Sequence, residues 1–150
     1  MPVSRFRPPL ILVVDDDAGD QVLIQEALDA SGIRKSVRVV GDGQEALEYL
    51  YRSGRYAEGE APRPDLVLLD LNMPRVGGCE VAARVKADPA LKAIPLVAFT
   101  TSGNEEDVAE CYSVGVNSYV QKPTEFEHFR ATLRDVVRYW LEISTSAPAR

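Results

Sequence analysis

Histidine, cysteine and tryptophan are scarce, with one His, two Cys and one Trp in 150 residues. Cys79 and Cys111 fall in separate helical patterns without CxxC or Cys/His spacing, which argues against a structural metal site; core packing of two free thiols suits a reducing compartment. Long apolar runs are missing as well. The longest clean one, Leu10–Val14, is far too short to cross a bilayer and ends in three aspartates, so neither a membrane helix nor a signal peptide is expected and a cytoplasmic protein is. Basic charge is in deficit: 17 Lys and Arg against 23 Asp and Glu give a net charge of -6. With no basic stripe to override that average, nucleic-acid binding by this chain is disfavoured. Internal repeats and low-complexity blocks are absent too, and the length leaves no room for a second folded domain.

What is present is an alternation of short, β-branched apolar runs with longer stretches whose apolar residues recur at three and four. The runs are Leu10–Val14, 37–40, Leu66–Leu69, 96–99 and Ser118–Gln121. Most are continuously apolar, as strands covered on both faces must be, and the alternation predicts a doubly wound α/β domain: a five-stranded parallel sheet, order 2-1-3-4-5, with five helices. The ordered domain is expected over residues 10–143, with a flexible N-terminus at 1–9 and a flexible tail at 144–150. The polar, Gly- and Pro-rich stretch 53–64 reads as a long surface loop.

Three Ser/Thr/Asp-x-x-Glu patterns predict helix starts: Asp42 with Glu45, Ser102 with Glu105, and Thr124 with Glu127. The first helix is expected to turn Val22, Leu23 and Ala27 inward, the second Ala46, Leu47, Leu50 and Tyr51, and the third, near 78–86, Val81, Ala82 and Val85. The fourth offers Val108, Ala109 and Tyr112; the fifth offers Phe126, Phe129, Leu133, Val136, Val137 and Trp140.

In an open α/β sheet, ligands bind outside the carboxyl ends of the strands where strand order reverses. Here the first strand is followed by Asp15, Asp16 and Asp17, the third by Asp70, the fourth by Thr100 and Thr101, and the fifth by Lys122. Two carboxylates about 4 Å apart repel by roughly 4 kcal/mol at an effective dielectric of 20, so such a cluster neutralises itself or holds a cation. All-oxygen donors without His or Cys point to Mg²⁺, completed by a carbonyl from the loop after Asp70, by water and by a phosphate oxygen. With the metal in place a carboxylate can attack phosphorus in line, while Lys122 and Thr100 stabilise the equatorial oxygens. Singly, Asp16 or Asp17 reads equally well as a helix cap, and Lys122, Thr100 and Asp70 as ordinary loop residues. Complementary groups at four strand ends are what make a site.

At these residues the chain resembles a receiver domain of the response regulators, chemotaxis-regulator-like and flavodoxin-like in fold. The resemblance is carried by Val13-Val14-Asp15-Asp16, Leu69-Asp70-Leu71-Asn72-Met73-Pro74, Phe99-Thr100 and Tyr119-Val120-Gln121-Lys122-Pro123, and covers nearly the whole chain. It implies that Asp70 is the phosphoacceptor, that Asp15 and Asp16 bind Mg²⁺ with Asp70 and the Asn72 backbone carbonyl, and that Lys122 pairs with the phosphoryl group. It further implies a switch in which Thr100 moves toward that group and Tyr119 turns inward. Asp17 has no family role, and Thr101 stands where the family usually has a smaller residue. The long loop, the segment 100–108 and Tyr139-Trp140-Leu141-Glu142 bring it nearer to single-domain regulators that serve phytochrome-type histidine kinases.

The function this implies is a phosphoacceptor switch of a two-component system, with a sensor histidine kinase as donor and protein contacts as output. His128, the only histidine, reads as a solvated helix residue rather than a phosphohistidine donor. The output face is expected at the fourth helix, fifth strand and fifth helix, and Tyr139, Trp140 and Leu141 form a candidate dimer or partner patch. Three rivals stand beside this reading. One is a degenerate receiver that only binds partners. Another is a nucleotide-binding module suggested by Gly41-Asp42-Gly43-Gln44-Glu45-Ala46, although its acids would meet a pyrophosphate with like charge. The third is an aspartyl-phosphate hydrolase, for which no Asp-x-Asp at the nucleophile and no cap are seen.

Overall fold

The apolar runs form β1 (Leu10–Val14), β2 (Ser36–Val40), β3 (Leu66–Leu69), β4 (Leu96–Thr100) and β5 (Ser118–Gln121) in the computed structural model, which describes residues 7–148. They pair in parallel in the expected order β2-β1-β3-β4-β5. Because strand side chains alternate between faces, each central run splits between two cores. Leu10, Leu12, Val14, Val67, Leu69, Leu96 and Ala98 pack into one layer; Ile11, Val13, Leu66, Leu68, Val97 and Phe99 pack into the other. Their continuous hydrophobicity thus reflects burial on both sides. Each such Leu, Ile or Val contributes about 1.5–3 kcal/mol by leaving water.

Five α-helices cover the two faces: α1 (Ala18–Ala30), α2 (Gly43–Tyr51), α3 (Gly78–Ala87), α4 (Glu105–Ser113) and α5 (Phe126–Arg138). α1 packs beside α5, while α2, α3 and α4 line the opposite face. α3 buries Val81, Ala82 and Val85 as expected. In α1 the buried stripe is Ile24, Ala27 and Leu28, and Val22 is exposed; two residues before Ile24 it lies about 200° round the helix. In α2 the inward ring is Tyr49, not Tyr51, because the Tyr49 hydroxyl reaches the Pro62 carbonyl at 2.8 Å and ties down the following loop. In α4 Cys111 is the buried residue, and Ala109 and Tyr112 are exposed, so the expected stripe is out of phase. Phe126, the first residue of α5, is also exposed.

The Asp42 cap forms as expected, accepting from the Glu45 amide at 2.7 Å, though Glu45 returns the bond to the Gly41 amide instead of to Asp42. The other two caps are displaced. Asn104, not Ser102, caps α4 by accepting from the Glu106 amide at 2.7 Å, and Glu125, not Thr124, caps α5 by accepting from the His128 amide at 2.8 Å. Each is a stronger or better placed acceptor one or two residues downstream, and Ser102 is diverted to Asp107 at 2.6 Å.

The stretch 53–64 holds one 3-10 turn, Gly54–Tyr56, pinned by Tyr56 donating to Glu45 at 2.7 Å. Cys79 and Cys111 are free thiols packed on one core layer, their sulfurs 3.2 Å apart. Of the ends expected to be loose, residues 1–6 and 149–150 lie outside the described residues; Pro9 accepts a backbone bond from Ser36 at 2.8 Å. No helix among the described residues is long and apolar enough to cross a membrane.

Candidate functional site

The parallel register assembles the site. Val14 of β1 stands level with Leu69 of β3, so Asp15 and Asp70 leave the sheet side by side, and the Asp70 amide donates to the Val14 carbonyl at 2.9 Å. On the other side Thr100 pairs with Gln121, which places Lys122 just past the end of β5. Among the described residues, the buried polar or charged side chains are Asp15, Asp70, Thr100 and Lys122, all at this one rim. Burying charge costs several kcal/mol unless it is paired, so four such groups in one place mark a site rather than a packing accident.

The Lys122 ammonium donates to Asp15 Oδ2 and to Asp20 Oδ2, each at 2.7 Å, and lies 4.0 Å from Asp70 Oδ2. The remaining oxygens are held by backbone: Asp15 Oδ1 accepts from the Asp17 amide at 2.9 Å and Asp70 Oδ1 from the Leu71 amide at 2.9 Å. Asp17 is the N-cap of α1, accepting from the Gly19 and Asp20 amides. Asp16 is exposed, yet one carboxylate oxygen each from Asp15, Asp16 and Asp70 falls within a 4.8 Å set.

Burial pushes the carboxyls of Asp15 and Asp70 above the ordinary aspartate range; Lys122 pulls both down without overcoming it. For Lys122, burial works toward a lower value, but its hydrogen bonds to Asp15 and Asp20 and the charge of Asp70 leave it raised and protonated. One ammonium is therefore shared among the carboxylates of Asp15, Asp20 and Asp70, with Asp16 beside Asp15 and Asp70. That excess of negative charge, presented by oxygen alone, fits a hard divalent cation.

Thr100 is fully buried beside Asp70, its hydroxyl near enough to draw that carboxyl's pKa down, and it accepts from the Ser102 amide at 3.4 Å. Tyr119 is half-buried; its ring packs against the α2–α4 side of the sheet and its hydroxyl donates to the Ser102 carbonyl at 2.8 Å. Asn72 lies in the exposed loop two residues past Asp70. The start of α3 presses on that loop: a Cβ on Gly78 would come within 2.2 Å of the Asp70 carbonyl oxygen. Tyr139, Trp140 and Leu141 belong to a π-helical turn, Tyr139–Ile143, that follows α5. Trp140 and Leu141 pack onto the α1–α5 core layer, while Tyr139 is about half exposed and stacks edge-on against Trp140.

Sequence reasoning missed Asp20. As a first-turn acid of α1 it has a sufficient explanation in the helix dipole, and only a structure shows it against Lys122. The Gly41–Ala46 segment proves to be capping and packing: a Cβ on Gly43 would lie 2.0 Å from the Val76 carbonyl oxygen, so the space a pyrophosphate would need is filled.

A doubly wound 2-1-3-4-5 sheet with an acidic rim and a buried lysine defines a class, and residues 11–134 match the response regulator receiver domain: the chain belongs to that family. Over 138 residues it is 40% identical to the response regulator Rcp1 of Synechocystis sp., covering 92% of each chain. Its fold matches the phosphorylated cyanobacterial phytochrome response regulator RcpA with a TM-score of 0.88 at 41% identity, covering 94% of this chain and 99% of that one. It matches the Mn²⁺-bound form of Rcp1 with a TM-score of 0.86 at 39% identity, covering 94% and 100%. The chain is thus a receiver domain of the two-component type with phytochrome-associated relatives.

Proposed function

We propose that the chain is a Mg²⁺-dependent phosphoacceptor switch in which Asp70 receives a phosphoryl group from a kinase phosphohistidine. The observation that carries this reading is the convergence of Asp15, Asp70, Thr100 and Lys122 as buried polar groups beside the exposed Asp16. Asp15, Asp16 and Asp70 would hold the metal, with the Asn72 backbone carbonyl as a further ligand; when bound, it screens the carboxylates and neutralises phosphoryl oxygens. Asp70 Oδ2, the oxygen not held by the Leu71 amide, attacks phosphorus as the P–N bond to the donor histidine breaks. Lys122, already 4.0 Å from that oxygen, moves onto the transferred group, and water later hydrolyses the acyl phosphate.

Thr100, fully buried beside Asp70, is the residue that senses the new charge, and Tyr119 reports it to the face formed by α4, β5 and α5. The donor is a sensor histidine kinase of the phytochrome type, a reading supported by the likeness to RcpA and Rcp1. The α4-β5-α5 face is also the contact of a homodimer, supported by the exposure of Tyr112 and Phe126 on either side of edge strand β5.

The test is intact-mass analysis after incubation with Mg²⁺ and acetyl phosphate, for wild type and Asp70→Asn. A Mg²⁺-dependent phosphoryl adduct in wild type alone is expected. An adduct that survives in Asp70→Asn assigns the acceptor elsewhere, and absence of both adduct and metal binding would favour a receiver that acts only by binding partners.

A further inference from the structure

The Lys122 ammonium has two carboxylate partners at the same 2.7 Å distance, and they differ in their second duty. Asp15 belongs to the set of carboxylates that could hold a metal; Asp20 does not. Both oxygens of Asp15 are engaged, Oδ1 by the Asp17 amide and Oδ2 by Lys122. A cation arriving at Asp15 therefore competes with the ammonium for that carboxylate. Asp20 stands on the first turn of α1, its amide fixed by the Asp17 cap at 3.2 Å, so its position is set by the helix start and not by the cluster.

We propose that Asp20 is a positioning residue: standing outside the Asp15, Asp16 and Asp70 set, it anchors Lys122 so that Asp15 can be released to a cation while the ammonium stays within reach of Asp70. The proposal rests on the metal-binding reading above. An ammonium has three N–H donors. With Asp20 holding one, the loss of the Asp15 bond leaves the lysine tethered and frees a donor for a phosphoryl oxygen. Without Asp20, Lys122 is left with Asp15 as its nearest carboxylate, and the metal must displace a buried, charge-assisted hydrogen bond to bind.

Mg²⁺ titration by calorimetry separates this from a bulk charge effect. In Asp20→Asn, which keeps the side-chain size at a partly exposed helix position, the Mg²⁺ Kd is expected to rise about five-fold, and Asp20→Glu, which restores the charge, to recover most of the loss. In a Lys122→Met background the same Asp20→Asn change is expected to move the Kd less than about two-fold, because the residue through which Asp20 acts is gone. An equal rise in both backgrounds would mean that Asp20 contributes only its charge and would overturn the proposal. Wild-type binding that Asp20→Asn leaves unchanged overturns it alone, whereas a wild type that binds no Mg²⁺ overturns the metal reading as well.

Discussion

Asp70 shows what the site costs the fold. Burial raises its pKa above the ordinary 3.8, so as pH rises the unfolded chain gives up this proton before the folded one does. A carboxyl raised in the folded state supports folding below its unfolded pKa, and that support is lost as pH climbs through the folded value. Once deprotonated, Asp70 in the metal-free protein is a partly desolvated carboxylate held at a loss. Asp70→Asn is expected to be more stable than wild type at pH 7 by about 1 kcal/mol in urea unfolding with a chelator present, the gap closing toward pH 4. Asp42 lies on the opposite side of the balance. The amide of Glu45 holds its carboxyl below the usual range, so its support is present above the unfolded pKa and falls away on acidification. The raised Asp70 belongs to the buried polar cluster at the rim, and the lowered Asp42 marks a cap.

Elements explain why some of this was legible in the chain and some was not. The central strands announce themselves, since both of their faces are buried and every residue must be apolar, and the residues that end them are the site. Helix phase is weaker information. α4 buries little beyond Cys111, so the exposed Ala109 and Tyr112 could mimic an apolar stripe. Its cap falls on Asn104, which accepts from the Glu106 amide, while Ser102 accepts from the Asn104 amide earlier in the loop, a division of labour that spacing does not encode. Asp20 was hidden for a related reason, its contact with Lys122 spanning 102 residues of sequence. The start of α3 offers a test at this scale. Gly78 sits where a Cβ would meet the Asp70 and Leu71 backbone, atoms that cannot swing aside. Gly78→Ala should thus lower stability by about 2 kcal/mol or more in thermal unfolding, and it should also shift the Asp70 loop enough to slow phosphorylation. A variant as stable as wild type would show that α3 is free to move off the loop.

Across the whole molecule, the fold divides labour between the two sides of one sheet. The α1–α5 side is closed by Phe129, Leu133 and Val137, and extended past α5 by Trp140 and Leu141. The α4-β5-α5 face is left open: β5 is the sheet edge, and Tyr112 closes only part of it by accepting from the Tyr119 amide at 3.1 Å. Tyr112 and Phe126 are exposed there, Phe126 beneath the Arg130 guanidinium. A stable dimer buries about 800 Å² on each partner, roughly a tenth of the 7918 Å² this chain exposes, an area that a face of two helices and a strand edge can supply. The two aromatic groups should then separate under mutation. Phe126→Ser is expected to shift sedimentation equilibrium toward monomer while moving the unfolding free energy by no more than about 0.5 kcal/mol, as an exposed position should. Trp140→Ala removes a side chain packed on the core layer and should cost about 2 kcal/mol or more of stability, with any loss of dimer following from the weakened end of α5. If Phe126→Ser leaves association untouched and Trp140→Ala abolishes it without destabilising the fold, the contact lies at the π-helical turn, and the open face of β5 is reserved for other partners.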